Sequence, residues 1–108
     1  MTPRRIQWTR FDGELPAGAK SIARPSRWGN PFRIGDPHPA DGHPMTRDDV
    51  VDLFADWVRR PEQGPLRQSA QSALAGHDLA CSCPDGERCH GDVWLALLAE
   101  TRDGGEMD

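Results

Sequence analysis

The stretch Asp78–Leu98 constrains the fold of this 108-residue chain most, because an apolar run leads into a cysteine-rich turn and then into an amphipathic segment. The apolar run starts at Leu79 and ends at Cys81 or Cys83, and it predicts a short buried strand. A helix is predicted from His90 onward. Its apolar stripe consists of Val93, Trp94, Leu97 and Leu98. Junctions between a strand and a helix are the usual position of binding sites in α/β proteins.

The preceding part of the chain carries further patterns of regular structure. Alternation over Arg5–Phe11 and a short run over Ala19–Ala23 predict two more strands. Thr46 and Asp49 have the spacing of a capping box, which predicts the start of a helix. Pro61 ends that helix, since proline cannot continue one.

A second helix is predicted between Pro65, a favourable first-turn residue, and Gly76, a favourable helix end. The element order is then strand, strand, helix, helix, strand, helix. Helices that bracket a buried strand predict an α/β fold class. We expect one small domain over residues 1–102, with a short central, mostly parallel sheet flanked by three helices in a Rossmann-like arrangement. The acidic, glycine-containing composition of residues 103–108 predicts a disordered tail.

Charge is distributed unevenly along the chain, although the formal net charge is only −4. Residues 1–33 hold seven of the 13 Lys and Arg side chains against Asp12 and Glu14, so they carry +5 and the remainder carries −9. This basic N-terminal third predicts a small anionic ligand or nucleic acid as a partner. The alternative is an ordinary solvated surface.

The cysteine count and the hydropathy of the chain bear on its location. Three cysteines, an odd number, do not favour a framework of structural disulfides. The residues after Met1 lead into no apolar signal segment, and no apolar run approaches the length that spans a membrane. We therefore expect a cytoplasmic protein with reduced thiols and no membrane partner.

Residues 81–90 contain all three cysteines and one histidine, and they admit three interpretations. The candidate zinc ligands are Cys81, Cys83, Cys89 and His90. Their types suit zinc, the one cofactor this pattern suggests, but their spacing is not that of a Cys-X2-Cys knuckle. Alternatively, Cys89 or Cys81 is a catalytic thiolate, with His90 as its base or orienting partner at a helix start. Thirdly, the cysteines are small buried apolar residues and His90 is a cap or core residue.

Arg24–Phe32, with the sequence Arg-Pro-Ser-Arg-Trp-Gly-Asn-Pro-Phe, predicts a rigid loop because two prolines and a glycine oppose regular structure. The candidate ligand-binding residues of this loop are Arg24, Arg27, Trp28 and Asn30. Arginine suits phosphate, whereas tryptophan suits base stacking or an anchor in the core. Asp92 is the remaining candidate, as a helix cap, a partner of His90 or a contact to a ligand hydroxyl.

These motifs together resemble the domain-of-unknown-function 4326 family (DUF4326). The resemblance covers roughly residues 4–100 and rests on the Arg24–Phe32 loop, on Leu53-Phe54-Ala55-Asp56-Trp57, and on Leu79-Ala80-Cys81-Ser82-Cys83 followed by Cys89-His90-Gly91-Asp92-Val93. It implies a small protein of bacteria or bacteriophages, and it brings no established activity. The family often has tryptophan where this chain has Ser82. The closing cysteine-histidine pattern is also similar to another uncharacterised family of Rossmann-like α/β proteins, which by analogy supports the fold.

Parallel strands place the loops that follow them at one edge of a sheet, so Arg24–Asn30 and Cys81–Asp92 are expected to face a common crevice. The leading functional hypothesis is a nucleotide-like or other phosphate-bearing ligand in that crevice, with thiol-based chemistry. The alternative is a zinc-stabilised, non-enzymatic binding module that contacts a host protein or nucleic acid.

Overall fold

A computed structural model describes residues 3–23, 26–83 and 86–107, without the side chains of Arg10 and of residues 101–107. The regular elements, in chain order, are strand β1 (Arg5–Gln7), strand β2 (Ala19–Ser21), helix α1 (Arg47–Val58), helix α2 (Gly64–Leu74), strand β3 (Asp78–Cys81) and helix α3 (His90–Met107). Short 3-10 turns lie at Arg10–Asp12 and Pro61–Gln63.

The three strands form one parallel sheet in the order β1-β3-β2. In the central strand β3, Leu79 aligns with Arg5 of β1, and Asp78 aligns with Ala19 of β2. The C-terminal ends of β2 and β3 therefore lie at the same edge of the sheet. Within the described residues, the predicted α/β class with a parallel sheet and three helices is confirmed.

Helix α1 starts where its sequence predicts. The side chain of Thr46 accepts a hydrogen bond from the Asp49 amide at 3.2 Å, and the Asp49 carboxylate accepts one from the Thr46 amide at 2.9 Å. The two bonds satisfy amides that the first turn leaves without helical partners. The buried residues of α1 are Val50, Val51, Phe54 and Val58.

Helix α3 is the centre of the packing, since it contacts β1 and β3 as well as α1 and α2. The Trp94 indole N–H donates to the Trp28 carbonyl at 2.9 Å, so this buried polar group is satisfied. The Trp94 ring meets Trp28 and Phe54 edge-on, with centroid distances of 5.9 and 5.7 Å. These contacts attach the loop after β2 to the core.

Two strands are shorter than the sequence predicts, and one of them is β2, which ends at Ser21 rather than Ala23. β1 ends at Gln7 rather than Phe11, because Thr9 caps a 3-10 turn and its amide donates to Asp12 Oδ2 at 2.7 Å. Phe11 is consequently 85 % exposed. β3 ends at Cys81, the nearer of its two predicted ends, so Cys83 lies beyond the strand.

The acidic tail predicted for residues 103–108 lies largely outside the described part of the chain. Helix α3 reaches Met107, but the side chains from residue 101 onward and the whole of Asp108 are not described. The disordered tail therefore stays a prediction.

Candidate functional site

The three cysteine sulfurs converge at the C-terminal edge of the sheet. Cys81 ends β3, Cys89 immediately precedes α3, and Cys83 lies in the bend between them. All three sulfurs lie within 4.8 Å of one another, and those of Cys81 and Cys89 are 3.1 Å apart. Two residues on one extended strand would separate the Cys81 and Cys83 thiols by about 6–7 Å. Because the strand ends at Cys81, the chain turns and the sulfurs come closer.

The His90 ring is fixed in orientation beside these sulfurs. Its Nε2 lies 2.8 Å from the Ile22 carbonyl oxygen, which can only accept, so Nε2 carries the proton and donates. Nδ1 of the neutral ring then presents a lone pair, and it lies 3.6 Å from the Cys89 sulfur. The ring also packs edge-on against Phe54, with centroids 5.4 Å apart. His90 is only 8 % exposed. It is held by Ile22, which directly follows β2, on one side and by Phe54 of α1 on the other.

Hydrogen bonds among the three thiols shift their pKa values in different directions. Hydrogen bonds from the Cys81 and Cys89 thiols, and a further one from Arg47, lower the pKa of Cys83 well below its usual range. The pKa of Cys81 is raised, chiefly by its hydrogen bond to Cys83. The pKa of Cys89 is raised as well, first by its hydrogen bond to Cys81.

Burial also distinguishes the three thiols. Cys81 and Cys89 are 1 % and 0 % exposed, whereas Cys83 is half-buried. An attacking thiolate needs access to its substrate, so this geometry suits Cys89 and Cys81 less to the catalytic role than to the ligand role. The catalytic assignment of Cys89, His90 and Cys81 stays a prediction.

Arg5 reaches the cluster from β1, and no local sequence pattern predicts this role. Its guanidinium donates to the Cys81 sulfur at 3.8 Å and to the Cys83 carbonyl at 3.3 Å. It also donates to the Glu87 carbonyl at 2.7 Å and to Asp92 Oδ1 at 3.1 Å. Burial opposes its charge, but the Cys81 hydrogen bond and the Asp92 charge raise the pKa of Arg5 above its ordinary value.

Helix α1 holds the cysteine turn from the opposite side. Arg47 Nε lies 2.8 Å from a Glu87 carboxylate oxygen, and its Nη1 donates to the Arg88 carbonyl at 3.2 Å. Arg88 in turn bonds to Asp48 at 3.0 Å and to Asp52 at 2.7 Å. The turn between Cys83 and Cys89 is thus attached to α1 by charged side chains of both segments.

A cavity of about 350 Å³ opens beside the cluster. The loop after β2, helix α1 and the cysteine turn all contribute to its wall, so the loops that follow two parallel strands do meet there. Among the described residues that line the cavity, Arg47 carries a formal charge. The remaining lining residues are Ala23, Asn30, Phe32, Ile34, Val50, Val51, Cys81, Ser82, Cys83, Cys89 and His90.

Two candidates in the Arg24–Phe32 loop, Trp28 and Asn30, serve as anchors. Arg24 lies outside the described residues. The exposed Arg27 guanidinium lies over the Trp28 ring, 4.8 Å from its centroid, and the described cavity wall does not include it. Asn30 is buried: its Nδ2 donates to the Val50 carbonyl at 2.9 Å and its Oδ1 accepts from the Phe32 amide at 2.8 Å. The latter bond forms the Asx-type turn expected between a glycine and a proline.

Asp92 caps the last helix, as one of its predicted roles requires. Its Oδ2 accepts a hydrogen bond from the Cys89 amide at 3.1 Å, while Oδ1 accepts from Arg5. This carboxylate therefore fixes the backbone at Cys89 and orients an arginine beside the sulfurs.

A second group of potential metal ligands, His38, His43 and Asp49, lies at the N-terminus of α1. His43 Nδ1 contacts Asp41, and His43 Nε2 contacts Asp49 at 3.0 Å. Both ring nitrogens therefore face carboxylates, which suits a protonated imidazolium better than a metal ligand. His38 stacks on His43 with ring centroids 4.7 Å apart.

Comparison with known proteins gives one family match. The family model described as Domain of unknown function (DUF4326) matches residues 6–100. No curated protein and no solved structure matches the chain. None of the helices in the described residues combines the length and the apolar character needed to cross a membrane.

Proposed function

We propose that this chain, which belongs to the DUF4326 family, is a zinc-stabilised binding module in which Cys81, Cys83, Cys89 and His90 hold one zinc ion. The family carries no assigned activity, so the proposal rests on the site. A cytoplasmic location is part of it, because the thiols must remain reduced to bind zinc.

The convergence of the three sulfurs is the observation that carries this proposal. Sulfurs bound to one tetrahedral zinc ion lie about 3.5–4 Å apart, since each Zn–S bond is about 2.3 Å. The observed sulfurs lie within 4.8 Å of one another, and one pair is at 3.1 Å, so small side-chain adjustments bring them to this spacing. The pocket thus offers three soft ligands of the type that zinc prefers.

The imidazole of His90 supports the fourth ligand position. Metal-bound histidines usually donate their second ring N–H to a carboxylate or a backbone carbonyl, which fixes the tautomer. His90 donates its Nε2–H to the Ile22 carbonyl and presents Nδ1 toward Cys89. Cys89 and His90 are neighbours in sequence, and His90 Nδ1 contacts the Cys89 sulfur. The group of ligand atoms within 4.8 Å of one another consists of the three sulfurs alone, so the imidazole would have to move closer to the other two sulfurs to complete the site.

Four protein ligands would make this a structural zinc site rather than a catalytic one. The ion would join the end of β3 to the start of α3 across the turn that separates them. Small domains often need such a connection because their apolar core is limited. Zinc would then hold the cavity wall in place for a binding partner.

Metal analysis of protein purified under reducing conditions tests the proposal. We expect one zinc per chain by native mass spectrometry, and a lower melting temperature after the metal is removed with a chelator. Cys83→Ser should lose the metal, whereas Ser82→Ala, an exposed neighbour in the same turn, should retain it. Protein that contains no zinc, and that gains no thermal stability when zinc is added, would contradict the proposal.

A second candidate function is the binding of a phosphate-bearing or nucleotide-like ligand in the cavity, with Cys83 available for thiol chemistry. The observation that favours it is the cavity itself, which places the Arg47 guanidinium beside a half-buried thiol. Arg24 and Arg27 stay proposed contacts for such an anion, and the basic N-terminal third stays a proposed contact for nucleic acid.

Thermal-shift measurements with inorganic phosphate, a sugar phosphate and a nucleoside monophosphate test this candidate. We expect stabilisation that is lost in Arg47→Met and Arg24→Ala and kept in Arg59→Met, whose arginine pairs with Glu100 on the exposed surface. If none of the three compounds stabilises the wild-type protein, this candidate is wrong and the zinc proposal is unaffected.

A further inference from the structure

We propose that Arg5 is a positioning residue of the metal centre, whose buried guanidinium holds the ligand-bearing turn and balances the negative charge of the zinc–thiolate group. The inference rests on the proposed zinc function and deepens it. It assigns a role in metal binding to a residue of β1, more than seventy positions away from the ligands in the chain.

The contacts of Arg5 are distributed over the whole segment that carries the ligands. It bonds to the sulfur of Cys81 and to the carbonyl of Cys83. It bonds to the carbonyl of Glu87, two residues before Cys89, and to the carboxylate of Asp92, which itself caps Cys89. A planar guanidinium has five N–H donors in a fixed arrangement, so one side chain can hold several acceptors together.

The charge of Arg5 matters because the centre is anionic. One Zn²⁺ with three thiolates and a neutral imidazole carries a net charge of −1, and Cys81 and Cys89 are fully buried. Burying an uncompensated charge is unfavourable. The Arg5 side chain is only 9 % exposed and lies directly beside Cys81, whereas its other charged partner, Asp92, is half exposed and solvated. Arg5 therefore compensates the charge of the centre from inside the protein.

The backbone leaves space for this arginine. Gly91 lies in the first turn of α3, and a Cβ at that position would come within 2.9 Å of both Arg5 Cδ and Ile22 Cδ1. Contacts that short force a neighbouring group to move. Glycine at this position thus lets the Arg5 side chain pass between β1 and α3 to the sulfurs.

Arg88 provides a matched control, since it holds the same turn by a different route. It pairs with the carboxylates of Asp48 and Asp52 on α1, and its side chain is half exposed. Removing Arg88 weakens the attachment of the turn and leaves the charge next to the sulfurs in place. A comparison of Arg5→Met with Arg88→Met therefore separates action at the metal from general attachment of the loop.

The experiment measures zinc affinity by competition with a chromophoric chelator in wild-type protein, Arg5→Met, Arg5→Lys and Arg88→Met. Loss of an outer partner of a metal ligand typically weakens metal binding by about 10–100-fold, and we expect this for Arg5→Met. Arg88→Met should change the affinity by less than about fivefold, as expected for exposed ion pairs. Arg5→Lys should recover part of the loss, because lysine restores the charge without the planar donor set.

The absorption spectrum of the Co²⁺-substituted protein is the second readout, and it reports on the ligands rather than on folding. A hydrogen bond to a thiolate lowers the energy of the sulfur lone pairs, so its loss should shift the sulfur-to-cobalt charge-transfer band to longer wavelength in Arg5→Met alone. If Arg5→Met and Arg88→Met bind zinc with equal affinity and both show the wild-type charge-transfer band, the inference is wrong while the zinc proposal stands. If wild-type protein binds neither Zn²⁺ nor Co²⁺, the proposed function itself fails.

Discussion

At the scale of single residues, Asn30 and His90 are two buried polar side chains that bind backbone carbonyls. Asn30 and His90 are each only 8 % exposed. Asn30 joins the loop after β2 to helix α1 through the Val50 carbonyl, and His90 joins α3 to the end of β2 through the Ile22 carbonyl. Because an unsatisfied buried polar group is costly, these bonds fix the positions of the segments that border the cavity.

Replacement of Asn30 should therefore cost stability. Asn30→Ala removes the hydrogen bonds to the Val50 carbonyl and the Phe32 amide and leaves both partners in a half-buried wall. We expect the free energy of unfolding to fall by about 1–3 kcal/mol. Urea denaturation followed by tryptophan fluorescence measures this change. Gln68→Ala, at an exposed position of α2, is the control and should stay within about 0.5 kcal/mol of wild type. Equal values for the two variants would contradict the anchoring role.

At the scale of elements, helix α1 connects two functional regions through its first turns. Its N-terminal residues bind the cysteine turn through Arg47 and Asp48, while Asp49 binds the loop that contains His43. The antiparallel bridge between Pro37 and Pro44 closes that loop, so His43 is held against the cap of α1. The start of one helix therefore organises both neighbouring loops.

This arrangement predicts a pH-dependent contribution to stability. Hydrogen bonds from His43 to Asp49, and then to Asp41, raise the pKa of His43. The hydrogen bonds that the Asp49 carboxylate accepts from the Thr46 amide and from His43 lower the pKa of Asp49 to about 2. His43, whose pKa is raised, stabilises the fold fully below its unfolded pKa of about 6.5. This contribution is lost as the pH rises through the folded pKa. Asp49, whose pKa is lowered, stabilises the fold above its unfolded pKa of about 3.9. This contribution is lost as the pH falls through the folded pKa.

The His43 contact should therefore be strongest between about pH 4 and pH 6.5. His43→Gln should reduce the free energy of unfolding more at pH 5.5 than at pH 9, because only the imidazolium pairs with both carboxylates. Denaturation at the two pH values, with wild type and variant in the same buffers, measures the difference. A reduction of the same size at both pH values would show that the charge of His43 has no part in it.

At the scale of the whole molecule, the larger of two core clusters in the described residues links the site to helix α2. The core cluster runs from Cys81 and Cys89 through Phe54 and Trp94 to Leu74 at the end of α2. Partly buried Trp28 and Trp57 pack against the same cluster. Unfolding should therefore be one cooperative transition, with the site and the helices lost together.

Leu74→Ala tests this cooperativity. Leu74 is 1 % exposed, so truncation should leave a cavity and lower the free energy of unfolding by about 2–5 kcal/mol. Tryptophan fluorescence and far-ultraviolet circular dichroism should give superimposable denaturation curves for the variant. Separate transitions by the two probes would mean that α2 unfolds independently of the metal-binding end.

Local sequence predicts those features of the structure that depend on interactions between residues a few positions apart. Thr46 and Asp49 lie three residues apart and form the capping box, and the apolar stripe after His90 forms α3. The roles of Arg5 and Arg47 could not be predicted in this way. Both depend on which segments become neighbours: Arg5 reaches the sulfurs because β1 pairs with β3, and Arg47 because α1 packs beside the cysteine turn. The cysteines themselves were evident, but their convergence depends on β3 ending at Cys81.

The position of β3 between the other two strands has a consequence for synthesis. Arg5 and Ala19 each pair with residues of β3, so neither edge strand meets its partner until Asp78–Cys81 has been translated. A nascent chain that stops at residue 77 lacks β3, the strand with which both β1 and β2 pair. Contacts this distant along the chain form slowly, because a long loop must close first. The helices α1 and α2 would therefore leave the ribosome before the sheet on which the thiol cluster depends can assemble.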